Sequence, residues 1–104
     1  MRTCLFSLLV CLFAAQAFAA DVPDYDTNAG CKEIANFGGG GSAQLELHCR
    51  KTEAQARDRI AGMEVSASAM RNCNEIASFG GSGNYGMLEQ CIKDEMAAEK
   101  ALAQ

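Results

Sequence analysis

Apolar positions along this chain recur at helical spacing. Cys31, Ile34, Ala35 and Phe37 share one helix face, and Leu45, Cys49, Thr52, Ala56 and Ile60 form a second stripe with steps of three and four. Met70, Cys73, Ile76, Ala77 and Phe79 make a third stripe, and Leu88, Cys91, Ile92, Glu95 and Leu102 a fourth. Stripes with this period predict amphipathic helices, each apolar face turned inward. The segments between them supply the stops and starts. The spacing predicts helices from Ala29 to the glycine run Gly38-Gly39-Gly40-Gly41, over 43–61, over 67–79 and over 85–103. Asp26 or Asn28, then Ser42, Ser66 and Asn84, stand where N-caps are needed. On the second helix Arg50, Lys51, Glu53, Arg57 and Asp58 fall opposite the apolar stripe, with Glu53 and Arg57 at the i, i+4 spacing that supports a solvated helix. Gly62 marks a turn after the second helix, although a fusion of helices two and three through it is also compatible with the pattern. No window alternates as a strand does, and β-branched residues are scarce while alanine is abundant, which favours helix. The fold class is therefore all-α.

The pattern also occurs twice. Residues 31–49, CKEIANFGGGGSAQLELHC, align without a gap on residues 73–91, CNEIASFGGSGNYGMLEQC, with 9 of 19 positions identical at an offset of 42. Cys31 lies seven residues before Gly38 and Cys49 seven after Ser42; Cys73 and Cys91 bracket Gly80 and Asn84 in the same way. Two antiparallel helices that rise by about 1.5 Å per residue from one turn bring such positions to equal height. Four cysteines allow three pairings, and the repeat favours Cys31–Cys49 and Cys73–Cys91. A bridge needs Cα atoms about 5.5 Å apart, closer than ordinary helix axes. Ala35 and Ala77 are small enough to permit that approach. The expected architecture is two tandem disulfide-stapled αα-hairpins packed as a small four-helix domain.

The N-terminal residues have a different character. Arg2, the apolar run from Cys4 to Ala15 and the small-x-small step Ala17-Phe18-Ala19 read as an export signal cleaved near Ala19. The run is shorter than the ~20 residues that span a bilayer. Val10 before Cys11 does not fit a lipid-attachment site. The predicted organisation is a signal peptide over 1–19, an extended acidic lead-in over 20–27 and one helical domain over 28–104, made of units 28–61 and 66–103. An even number of cysteines in a short exported chain reads as disulfides. Export implies a periplasmic or secreted protein with no membrane association after cleavage.

Removing Arg2 with the signal leaves 8 basic against 13 acidic side chains. That balance, without a basic patch or arginine–aromatic interleaving, disfavours nucleic acid and anionic membrane surfaces as partners. The cysteines lack the C-x-x-C spacing of redox pairs and the close ligand pairs of zinc sites. His48 is the only histidine, its counterpart is Gln90, and it reads as a surface helix residue. Met63, Met70, Met87 and Met96 read as core filler. The glycine runs lack the lysine and preceding strand of a phosphate-binding loop and read as helix–helix turns. Glu33/Glu75 and Glu53/Glu95 are paired carboxylates of the kind that does acid–base work, but duplication of the unit explains their recurrence equally well. Glu53 and Glu95, each four residues after a cysteine, fall on the bridge side of their helices, with Glu95 placed to meet the other hairpin through lysine or backbone amides. Tyr85 opens the fourth helix beside its loop and reads as an exposed contact, where the first unit has Ala43. Specificity is expected where the units differ, at Lys32/Asn74, Ala43/Tyr85 and His48/Gln90. The candidate contact residues are therefore Tyr85, His48 and Lys32, with no catalytic residue, no metal site and no cofactor.

With its Asp24-Tyr25-Asp26 lead-in, the chain resembles a group of small exported proteobacterial proteins built on a Cys…Ile-Ala…Gly-Gly-Ser-Tyr…Cys…Glu unit. The resemblance covers about residues 24–100. The first unit departs from it, with Ser42-Ala43 in place of Ser-Tyr; the second has Asn84-Tyr85. The resemblance implies a Gram-negative periplasmic setting and nothing catalytic. The expected function is a non-enzymatic protein-interaction module with a protein partner in the cell envelope. The alternative is a periplasmic small-molecule or metal-ion binder using the groove between hairpins. Oligomeric state is left open.

Overall fold

The computed structural model describes residues 21–37 and 39–104. The predicted signal peptide, its cleavage near Ala19 and the turn residue Gly38 lie outside the described residues. Four helices follow one another: α1 Thr27–Asn36, α2 Ala43–Ala61, α3 Ala67–Ala77 and α4 Tyr85–Leu102. No strand is present among the described residues.

Each helix begins at a side-chain cap that satisfies one of the amides left open at a helix start. Asp26 Oδ1 accepts from Ala29 N at 3.2 Å, and Ser42 Oγ from Leu45 N at 3.2 Å. Ser66 Oγ accepts from Ala69 N at 3.1 Å, and Asn84 Oδ1 from Met87 N at 2.8 Å. α2 ends at Gly62, and residues 62–66 separate it from α3, so the two are not fused. α3 stops at Ala77, short of the expected Phe79. There the Ser78 hydroxyl donates to the Asn74 carbonyl at 2.6 Å, one of the local bonds by which serine competes with helix continuation.

Disulfides join Cys31 to Cys49 and Cys73 to Cys91, both with Cα atoms 5.5 Å apart. The chain is thus two tandem, disulfide-stapled αα-hairpins in one small four-helix domain. α1 packs on α2, α3 packs on α4, and the hairpins meet through α2 and α4. Where α2 and α4 touch they run in the same direction: Glu53 meets Tyr85 and Gly86, and further along Arg59 meets Glu89. The core lies at this contact and comprises Ala56, Ile60, Cys73, Ala77, Tyr85, Leu88 and Ile92. Val22 and Tyr25 from the lead-in pack against it, as do Met63, Met70 and Met96.

The inward faces differ from expectation. α1 buries Cys31 and Ala35, and α3 buries Ala69, Cys73 and Ala77, whereas Ile34, Phe37, Ile76 and Phe79 are exposed at 53%, 93%, 58% and 91%. On α2 the buried positions are Glu53, Ala56 and Ile60, while Leu45 is exposed. Leu102 of α4 is also exposed, at 86%. The short Cα separation at the bridges explains the flanking helices. Only small side chains fit directly between helices drawn that close, so cysteine and alanine take the contact line. Ile34 and Ile76, one step round the helix, are displaced to its flank, and Phe37 and Phe79 lie beyond the last helical residues Asn36 and Ala77.

Candidate functional site

The N-terminus of α4 is built by three distant segments. Asn84 satisfies Met87 N, and Glu53 of α2 satisfies the two amides before it. Its Oε2 accepts from Tyr85 N at 2.6 Å and its Oε1 from Gly86 N at 3.2 Å. A carboxylate is favoured here by the positive end of the helix dipole. Glu53 is one of two buried charged side chains among the described residues, at 8% exposure. The other is Glu89, which receives Arg59 Nε at 2.6 Å and Arg59 Nη2 at 2.9 Å. That two-pronged bond from Arg59 holds the Glu89 carboxyl below its usual value, against an opposing effect of lost solvent.

The third segment is the lead-in. Tyr25 lies against Tyr85 with ring centroids 4.6 Å apart and planes tilted by 36°. Tyr25 N donates to Tyr85 Oη at 2.9 Å, Tyr85 Oη donates to the Pro23 carbonyl at 2.7 Å, and Tyr25 Oη donates to Asn74 Oδ1 at 2.7 Å. Loss of solvent, then the neighbouring Tyr85 and Glu53, push the Tyr25 hydroxyl up to about 12. The Tyr25 ring lies so close over Gly83 that a Cβ there would overlap it, and Gly83 also holds φ +87°, a conformation that disfavours any residue with a Cβ. Arg57 sits over the Tyr85 ring at 5.8 Å and reaches Asp24 at 3.8 Å.

Beside this junction a cleft of about 190 Å³ opens between α1 and the second glycine turn. Its walls include the Cys31–Cys49 bridge, Glu33, Ile34, Phe79 and the backbone of Gly81-Ser82-Gly83. Ile34 also borders a shallow surface with Glu33 and Phe37. Ile34 thus borders both, Phe79 the cleft and Phe37 the shallow surface. Glu53 reaches the cleft floor with both carboxylate oxygens already engaged. No group of three or more His, Cys, Asp or Glu side chains that could hold a metal ion occurs among the described residues.

The sequence-derived contact residues are dispersed. Lys32 and His48 are exposed on α1 and α2. Tyr85 is not an exposed contact: it is 2% exposed and anchors the lead-in. Two of the three differing positions serve this anchoring, since Asn74 and Tyr85 both bind the Tyr25 segment while Lys32 and Ala43 in the first unit do not. Sequence reasoning missed Tyr25, and it assigned the contact with the other hairpin's backbone amides to Glu95, whereas Glu53 makes it. The signal for Glu53 was its place between Cys49 and Ala56 on the buried side of α2. Comparison with protein-family models, with curated proteins and with solved structures finds no match. Two disulfides fit an oxidising, exported setting. No helix among the described residues is long and apolar enough to cross a membrane.

Proposed function

We propose that this chain is a non-enzymatic, exported protein-interaction module of the periplasm that binds a protein of the cell envelope through its exposed isoleucine and phenylalanine side chains. One observation carries the reading: Ile34/Ile76 and Phe37/Phe79 are identical in the two units, yet more than half exposed in both. Core demands do not account for apolar residues that face water. Exposed apolar patches mark docking surfaces, and covering a large apolar side chain contributes about 1.5–3 kcal/mol. Glu33 and Glu75, each preceding the isoleucine, put a carboxylate beside the apolar edge. The matching partner surface is apolar with a basic rim. The export signal read in the sequence and the resemblance to exported proteobacterial proteins support a periplasmic setting for the interaction.

Crosslinking and affinity capture from native periplasm test this, with the wild type compared against Phe37→Ser/Phe79→Ser. The expected result is one envelope protein captured by the wild type and lost with the variant, whose melting temperature stays unchanged because both rings are already in water. Equal capture by both proteins would overturn the reading. The second reading is a small-molecule or metal-ion binder in the groove between hairpins; the 190 Å³ cleft favours a small molecule. A stoichiometric ligand mass retained in native mass spectrometry, with no protein captured, would select it.

A further inference from the structure

The contact between the hairpins is also a template. α2 receives α4 through Glu53, which holds the first two amides of α4, and through Ala56 and Ile60, which pack in the core with Tyr85, Leu88 and Ile92. At the offset of 42 that relates the units, these receiving residues become Glu95, Ala98 and Leu102 on α4. The same chemistry recurs at the same spacing: a carboxylate, an alanine three residues on and a branched aliphatic four residues further. Here no helix among the described residues is docked on it. Glu95 is half-buried and makes no hydrogen bond or ion pair with any described residue, Ala98 is exposed and Leu102 is 86% exposed.

We propose that Glu95, Ala98 and Leu102 form a second docking surface, separate from the phenylalanine edge, which receives the N-terminal turns of an amphipathic helix from another protein. The template specifies the occupant. Its helix has apolar residues at the first, fourth and eighth positions, as Tyr85, Leu88 and Ile92 stand in α4. It has a small second residue, as Gly86 lies beside the Glu53 carboxylate. Its first amides are free to donate to Glu95, whose negative charge complements the positive end of the helix. A second copy of this chain is a poor occupant. The corresponding positions of α2 are Ala43, Glu46 and Arg50, and Glu46 pairs with Arg50 at 3.2 Å. Docking that face on Leu102 would set charged groups against an aliphatic one. In a stacked array, a polar outer face of this kind ends propagation.

The probe is a peptide of residues 84–96 carrying Gln90→Lys and Cys91→Ala, held helical by a lactam bridge from the new amine at position 90 to the Asp94 carboxyl, both positions being solvent-exposed in α4. Titrated into the oxidised, ¹⁵N-labelled protein, it should give saturable amide shifts centred on Glu95, Ala98 and Leu102. Leu102→Asp should weaken binding roughly tenfold or more, as expected when a buried aliphatic contact is lost, and Glu95→Lys should weaken it too. Leu102 is exposed and Glu95 half-buried with no bonding partner among the described residues, so both variants should retain the wild-type circular dichroism spectrum. Absence of saturable shifts, unchanged affinity in Leu102→Asp, or shifts centred on residues 53–60 would overturn the proposal. Self-association without peptide that Leu102→Asp abolishes would assign the surface to a second copy and overturn the choice of occupant. Phe37→Ser/Phe79→Ser should bind the peptide normally, which keeps this result independent of the phenylalanine edge.

Discussion

Replacing Glu53 with alanine strips the acceptor from two amides at the start of α4. Tyr85 N and Gly86 N, now held at 2.6 and 3.2 Å, would face a small apolar side chain in a largely dry junction. A hydrogen bond to a charged group contributes about 1.5–3 kcal/mol net, and losing a helix cap costs about 0.5–2 kcal/mol. Part of the loss is returned, because alanine does not have to be stripped of a carboxylate's hydration. The balance is a destabilisation of about 3 kcal/mol, a large fraction of what a small domain has. At about 4–8 °C per kcal/mol for a domain of this size, the melting temperature should fall by roughly 12–24 °C. Glu53→Gln retains one carbonyl acceptor but turns an NH₂ group towards the second amide, so it should fall between wild type and alanine. The internal control is Glu95→Ala, which removes the corresponding carboxylate where no helix is docked and should change stability by less than about 0.5 kcal/mol. Urea unfolding followed at 222 nm gives both values, with an unchanged denaturant slope showing that the same surface is exposed. If Glu53→Ala and Glu95→Ala shift the midpoint equally, the inter-hairpin cap does not hold the domain together.

Three further outcomes are expected. Gly83→Ala should destabilise more than Gly80→Ala: both glycines have positive φ, but a Cβ at Gly80 meets nothing within 4 Å while one at Gly83 enters the Tyr25 ring. Overpacking adds about 1–3 kcal/mol to the backbone strain, and equal melting temperatures would show that the lead-in is not seated there. Breaking the bridges in pairs to serine should each cost on the order of 3 kcal/mol by loop entropy. The Cys73/Cys91 pair should lower the melting temperature more than Cys31/Cys49, because Cys73 belongs to the buried cluster with Ile60, Leu88 and Ile92 and Cys31 does not. Alkaline titration at 295 nm should show a phenol ionising near 12, absent in Tyr25→Phe. Since folding raises this value, the tyrosine's stabilising effect is complete below the unfolded-state pKa of about 10 and is lost as pH rises through 12. A Tyr25→Phe protein with an unchanged titration curve would contradict the half-buried Tyr25–Asn74 bond.

Local features were legible in the sequence because local rules produce them. Asp26, Ser42, Ser66 and Asn84 cap the helices since each can reach an amide three residues on, whatever lies beyond. The bridges follow from equal heights above a turn, and the burial of Ala35 and Ala77 follows from the bridges. The amphipathic pattern, by contrast, defines a stripe wider than the strip any neighbour covers. α1 and α3 each pack against a single helix, so their alanines and cysteines are covered while Ile34, Phe37, Ile76 and Phe79 remain in water. Tyr85 lay next to a glycine turn and read as exposed, yet the returning lead-in covers it. Glu53 counted as part of a solvated face, yet the first turn of α4 lies over it. Helix limits, caps and staples were thus set by the sequence through contacts a few residues long. Which carboxylate is buried and where Tyr25 rests were decided only when α2 met α4 and the lead-in folded back over Tyr85. Those contacts join residues about 30 to 60 positions apart, and side-chain periodicity carries no information about which distant amide a given face will meet.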